Sequence, residues 1–306
     1  MSKRNNHQVR DISGVVLLDK ASGSSSNHAL QQVKRLFNAK KAGHTGSLDP
    51  LASGLLPICL GQATKVAKFL LDEDKRYFVS AKLGQATSTG DSEGKITSFG
   101  STQGIDESSI RTILSDFIGG INQVPPMYSA LKLNGTPLYK LARKGIEIER
   151  DSRPVTVHEI NFLDLENSVL NLEVFCSKGT YVRTLVEDIG KSLGCGGHVV
   201  ELRRIGFAHL ELSGSKTYEQ LSKLKEQSLE SLDSVLIGAD KMLPNLKSVY
   251  LDSEQTRDIR LGKKIEYSGF RTYQKLKLYD NNKKFLGIGE SNTISEILPK
   301  RLFVKV

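Results

Sequence analysis

One acidic residue, Asp49, stands between Asp19 and Asp72, inside the stretch GHTGSLDPLASGLLPICLG at 43–61. Seven cations share that interval: Lys20, Lys34, Arg35, Lys40, Lys41, Lys65 and Lys68. Opposite charge nearby favours an ionised carboxyl, and such a group can act as a nucleophile or stabilise a cationic centre. Gly43, Gly46 and Gly54 permit φ > 0 and close approach of a ligand, and Pro50 fixes the turn after the acid. The same Asp-Pro pair also makes plain turns and helix caps. A second candidate is Arg183. SKGTYVRTLVEDIG at 177–190 predicts a helix with Thr180 as its cap and a buried stripe of Val182, Leu185, Val186, Ile189 and Leu193. Tyr181 and Arg183 then fall in its first turn, off that stripe. A cation there opposes the helix dipole, so Arg183 invites an anion, with a carboxylate the natural candidate. The alternative is an exposed guanidinium in water.

Composition narrows the partner. The 306 residues carry a formal net charge of +9 and a pI of about 9.3, which suits a polyanion, nucleic acid ahead of membrane. Cys59, Cys176 and Cys195 form no CxxC pair, and the six His residues have no metal-ligand spacing. Neither a zinc site nor a disulfide framework is expected. No apolar run reaches the ~18 residues of a membrane span, and MSKRNNHQVR at 1–10 is followed by no apolar leader segment. The reading is a cytoplasmic protein in a reducing compartment.

The elements that must position these residues follow from pattern. GVVLLDK (14–20) predicts a buried strand ending at Lys20, followed by a helix capped by Asn27 with Leu30, Val33, Leu36 and Phe37 inside. LLPICLG predicts a strand after Asp49, and 64–71 a helix. In DKRYFVSAKLG (74–84), Tyr77, Val79, Ala81 and Leu83 share one strand face. TSTGDSEGK is a turn-rich loop, and 106–118 a helix. In QVPPMYSALKLNGTPLYKLARKG, Lys132, Lys140, Arg143 and Lys144 occur with two tyrosines and no acid, and Asn134-Gly135 marks a hairpin turn. A projecting basic hairpin can grip a folded RNA loop. Residues 154–164 and 168–176 predict paired strands, 198–212 another, and 217–238 one or two helices. From 247 to 306 the chain is strand-like, with thirteen Lys/Arg against seven Asp/Glu. The fold class is α+β. The expected organisation is a basic flexible tail (1–10), a catalytic domain (11–245, with a basic RNA-gripping insertion at 123–152) and a small RNA-binding domain (246–306).

Six ordered stretches carry a resemblance: GVVLLDK, GHTGSLDPLASGLLP, DKRYFVSAKLG, QVPPMYSALK, SKGTYVRTLVEDIG and LGCGGHVVELRR. Together they resemble the TruB family, the bacterial tRNA pseudouridine-55 synthases, from about residue 12 to 204. LGKK (261–264) and LGIGE…PKRLFV resemble a PUA-like RNA-binding domain. The resemblance implies the pseudouridine synthase fold, a central mixed or antiparallel sheet with flanking helices framing a catalytic cleft, plus a small C-terminal PUA-like β-barrel. It implies isomerisation of uridine 55 in the tRNA T-arm loop, with no cofactor and no metal, by a monomer. Asp49 matches the family's catalytic acid, Arg183 its partner and Tyr77 the active-site tyrosine. Tyr181 and Leu202 match pocket-lining positions, His44 the histidine beside the flipped nucleotide, and Lys20 supports the cleft or meets phosphate. An adjacent guanidinium lowers an Asp pKa by ~1–3 units, which keeps Asp49 ionised. Ala21 replaces a usual Pro, and Ser47 and Ser53 replace a commoner Ala and Thr. A nucleobase glycosylase is the rival enzyme, but no second carboxylate lies near Asp49 in sequence. A non-catalytic tRNA-folding module is the other rival.

Overall fold

The apolar runs pair into one large sheet. The computed structural model describes residues 9–267, 269, 273–292 and 295–303. In chain order come β1 (Gly14–Lys20), α1 (Ser26–Leu36), β2 (Ala42–His44), β3 (Ser53–Leu60), α2 (Ala67–Leu70) and β4 (Lys75–Leu83). A hairpin of β5 (Gln85–Thr87) and β6 (Ile96–Phe99) precedes α3 (Glu107–Asp116) and β7 (Gly119–Gln123). The next excursion holds β8 (Lys132–Leu133), β9 (Thr136–Pro137) and α4 (Leu138–Ala142). Then follow β10 (Arg153–Glu166), β11 (Val169–Cys176), α5 (Val182–Ser192), β12 (Gly197–Phe207), β13 (Leu210–Glu211) and β14 (Lys216–Thr217). The strand order is β14-β1-β3-β12-β4-β11-β10-β7, with β2 on β3 and β13 on β12. β1/β14 and β3/β12 run parallel and the other neighbours antiparallel, a mixed sheet.

Alternation along these strands makes the core. Val79, Ala81 and Leu83 of β4 and Leu170, Leu172 and Val174 of β11 turn to one face. There they meet Leu185, Val186 and Ile189 of α5 and Leu30 and Val33 of α1. Several local expectations shift. Ser25, not Asn27, caps α1, accepting from the His28 N–H at 3.1 Å. Tyr181, not Thr180, is the cap residue of α5, and the Gln123 amide oxygen takes its N–H at 3.0 Å. The helix expected over 64–71 splits into a 3-10 turn at Gly61–Lys65 and the single turn α2. Of the N-terminal tail, residues 1–8 lie outside the described residues, and Arg10 is ion-paired with Asp233.

After α6 (Tyr218–Gln227) and α7 (Leu229–Asp233) come β15 (Lys247–Tyr250), α8 (Ser253–Arg260), β16 (Ile265–Glu266), β17 (Lys275–Tyr279), β18 (Phe285–Ser291) and β19 (Glu296–Leu302). These five strands form a separate sheet, β15-β17-β18-β19-β16, consistent with a PUA-like domain. It has its own core, including Val249, Ile259, Leu276, Leu278 and Ile297. Ile288, Phe285 and Phe303 also pack into a cluster with Val15, Leu55, Cys59 and Phe207 of the large sheet. The strand-rich reading of this segment missed α8, whose Asp252-to-Gln255 capping box was visible in the sequence. No helix among the described residues is long and apolar enough to cross a membrane.

Candidate active site

Asp49 sits in the loop between β2 and β3, and a single hydroxyl sets that loop. Ser26, buried at the start of α1, donates to the Leu48 carbonyl (2.9 Å) and accepts the Leu48 N–H (2.7 Å). A turn closes after the acid, with the Ala52 N–H on the Asp49 carbonyl at 3.1 Å. Gly54 then brings β3 against β12. Its φ is +99°, and a Cβ there would lie 2.3 Å from the Arg204 carbonyl oxygen, so only glycine fits.

Arg183 meets Asp49 from α5. Its Nη2 lies 2.8 Å from the Asp49 Oδ2. The Arg183 side chain is 5% exposed and that of Asp49 42% exposed, so the acid meets solvent while the guanidinium is covered. The apolar stripe placed Arg183 off the buried face. The structure buries it because α5 is covered on a second side by the 88–94 loop and by the start of the 123–150 excursion. Arg183 Nη1 donates to the Thr89 carbonyl (2.9 Å) and Nη2 to the Tyr128 carbonyl (2.8 Å).

Sequence reasoning missed Asp91. It lies in the turn-rich loop TSTGDSEGK, is 3% exposed, and places Oδ2 3.4 Å from Arg183 Nη1. Arg183 therefore stands between two carboxylates. Asp91 is committed: its Oδ1 accepts from the Thr89 hydroxyl and from the Glu93 N–H (3.2 Å). The loop is laced to β12 by Ser92 N–H to Val199 O and Val199 N–H to Gly90 O. Its only sequence signal was its place as one of two acids in a short run of turn formers.

This crowding reverses one electrostatic expectation. Although 42% of the side chain stays exposed, the protein packed around the Asp49 carboxyl pushes it up from its ordinary value; Arg183 pulls it down, Asp91 pushes it up, and Lys20 pulls it down. The upward causes win.

Tyr77 extends from β4, opposite Val174 of β11 on one side and Arg204 of β12 on the other. Its phenol is pushed up by burial and lies within electrostatic reach of Asp49, as does that of Tyr181. His44 ends β2, where its Nδ1 faces the Gly46 N–H at 3.4 Å, and burial with the Arg204 charge lowers its pKa. Lys20 is turned inward, donating to the Ala21 (2.9 Å) and Ser24 (2.7 Å) carbonyls. Burial lowers its pKa to about 8. Its ammonium is thus held by the backbone that follows β1. Leu202 is 6% exposed within the main core, two residues along β12 from Arg204. The structure thus gathers Asp49, Arg183, Tyr77, Tyr181 and Lys20, with His44 at the loop's other end. Lys132, Lys140, Arg143 and Lys144 are exposed on the excursion, where Asn134 and Gly135 take φ of 48° and 81° in the expected hairpin turn. The arm's base is fixed to the site through Tyr128.

Mixed sheet, cleft acid and buried arginine define a class that the comparisons identify. Residues 34–182 match the TruB family pseudouridylate synthase N-terminal domain. Residues 183–244 match the tRNA pseudouridylate synthase B C-terminal domain, and 248–303 the pseudouridine synthase II TruB C-terminal domain. A tRNA pseudouridine synthase B of Actinobacillus pleuropneumoniae is 49% identical over 295 residues, 96% of each chain. One of Shewanella sp. (strain MR-7) is 47% identical over 303 residues, 96% of this chain and 95% of that one. Among solved structures, a chain of an H/ACA RNP bound to a substrate RNA containing 2'-deoxyuridine shares the fold. Its TM-score is 0.73 at 22% identity, over 95% of this chain and 85% of that one. The chain belongs to the TruB family of pseudouridylate synthases, enzymes of the isomerase class.

Proposed function

We propose that this protein isomerises uridine 55 in the T-arm loop of tRNA to pseudouridine, with Asp49 as the acting carboxylate. The reaction breaks N1–C1′, turns the detached uracil and joins C5 to C1′; C5 loses a proton and N1 gains one. Atoms and electrons balance within the nucleotide, so the chemistry draws on no electron or energy donor. The observation that carries the reading is the 2.8 Å contact between an accessible Asp49 and a buried Arg183, with Tyr77 in electrostatic reach. Arg183 orients the carboxylate and counters the burial that favours its protonation. Asp49 then serves as nucleophile or stabilises the cationic centre at C1′.

The target base must leave its stack, at a cost of a few kcal/mol. Stacking on an aromatic ring returns about 1–3 kcal/mol per base. Tyr77 and Tyr181 supply rings beside the acid, and His44 and Leu202 are assigned to the pocket wall. Lys132, Lys140, Arg143 and Lys144 take phosphates of the T-arm stem-loop, and the C-terminal domain adds a second RNA contact. The protein acts as a monomer in the cytoplasm.

Asp91 supplies the second carboxylate that a glycosylase would need, but it is occupied by Arg183, Thr89 and Glu93 and is withdrawn from water. The test is direct. Unmodified tRNA transcript is incubated with the parent and with Asp49→Asn, and pseudouridine is mapped by nucleotide. Product at one T-loop position for the parent, none for the variant, and retained binding are expected. Free uracil in place of pseudouridine, or full activity in the variant, would overturn the reading.

A further inference from the structure

Among the described residues, Arg204 is the largest side chain that is fully buried, at 0% exposure. Among the described residues no ion pair reaches it, in contrast to Arg183. Its Nε donates to the Leu55 carbonyl at 2.7 Å, and its Nη2 reaches toward the Gly46 carbonyl at 3.4 Å. Tyr77 stands directly across the β12/β4 ladder, with its hydroxyl placed to accept from the guanidinium. One guanidinium therefore touches the strand leaving the catalytic loop, the loop itself three residues before Asp49, and the tyrosine of the site.

A buried unpaired guanidinium is costly unless its donors are used. The geometry says for what. A guanidinium has five N–H donors and no acceptor. Tyr77 can meet it only through a lone pair of the phenol oxygen, so the phenol hydrogen must point elsewhere. Asp49 lies close enough to act electrostatically on the same hydroxyl.

We propose that Arg204 is a positioning residue that acts through Tyr77. It fixes the hydroxyl rotor so that the O–H faces the cleft, and it ties that orientation to the Gly46–Asp49 loop. The proposal rests on the assignment of Tyr77 to the site. The groups facing this pair are Asp49 and Cys176 around the phenol, and Lys20, His44 and Lys75 around the guanidinium.

Two measurements test it, one of them independent of activity. 3-Fluorotyrosine placed at 77 is titrated by fluorine NMR in the free protein. Arg204→Gln should raise the phenol midpoint by about one pH unit or more, because the opposing charge is gone. Arg204→Lys should keep the midpoint near the parent's. In single-turnover assays with saturating enzyme, Arg204→Gln should slow product formation by about 100-fold, the scale of a misplaced reacting group. Its RNA affinity should stay within about twofold of the parent's. Arg204→Lys should also lose rate, since a point charge cannot serve Leu55, Gly46 and Tyr77 at once. In a Tyr77→Phe background, Arg204→Gln should add no more than about twofold. An unmoved midpoint in a folded glutamine variant, a lysine variant at the parental rate, or equal losses with and without the phenol would each overturn the proposal. A parent that makes no pseudouridine, while the titration behaves as stated, would overturn only the proposed function.

Discussion

Arg183 and the cations of the 123–150 arm show two opposite uses of positive charge. Arg183 is sealed from water, lies against two carboxylates and donates to two carbonyls. Lys132, Lys140, Arg143 and Lys144 are exposed, and the one ion pair among the described residues of 123–150 is Arg150 to Glu147, at 3.9 Å. A charge satisfied inside the protein holds geometry and is insensitive to salt. A charge left in water is available to phosphate, and its attraction is screened within a Debye length. One protein therefore carries cations that should govern rate and cations that should govern affinity.

The sharpest break of that contrast is at Arg183 itself. Arg183→Met leaves Asp49 and Asp91 facing each other with no counter-charge. We expect a loss of about 3–5 kcal/mol in stability, as for removal of one partner of a buried pair, and a fall in single-turnover rate of about 10²-fold or more. Chemical denaturation and rapid-quench kinetics check the two parts; a variant of parental rate would end the comparison. The pH profile follows. Asp49 is raised above an ordinary carboxyl, and its charged form acts, so the bound-state rate should fall as pH drops through a value above the usual carboxylate range. A milder loss of Arg183's pull, in Arg183→Lys, should move that limb to higher pH.

Smaller effects come from the arm. Replacing Lys140, Arg143 and Lys144 by Ala should weaken tRNA binding and flatten its salt dependence by about 0.7–0.9 per lost phosphate contact in a log–log plot. The saturated rate should hardly change. A large drop in that rate with unchanged affinity would merge the two kinds of charge into one. The smallest effect is thermodynamic. A carboxyl raised in the folded state binds its proton more tightly than the unfolded chain does. Its contribution to stability is therefore greatest below the unfolded value and is lost as pH rises through the folded one. Asp49→Asn should thus melt at or slightly above the parent's temperature at neutral pH, which calorimetry can read.

The sequence held the acid, its partner and the tyrosine, because each lies in a stretch whose residue types and order resemble one family. It did not hold the surroundings. Asp91 was invisible because a loop acid has no periodicity to betray its burial. Arg183 was placed off the buried stripe because the pattern of one helix says nothing about loops that close over its other side. Arg204, beside Arg203 in a strand, reads as surface charge. Its neighbour does behave that way in part, pairing with Asp19 at 2.6 Å with 31% of its side chain exposed. What sends Arg204 inward is the register of β12 against β4, a long-range fact. Helix α8 shows the reverse case: its capping box was legible, but Thr256 and Ile259 alone give too short an apolar stripe to outweigh a strand-rich neighbourhood.

The serine that grips both backbone groups of Leu48 has a consequence for substrate size. The acid's angle of approach is settled during folding, before any RNA arrives, so remote parts of a long RNA have nothing left to arrange at residue 49. A minimal stem-loop and an entire tRNA, each fully loaded on the enzyme, should then turn over at nearly the same speed, and differ only in how long they stay.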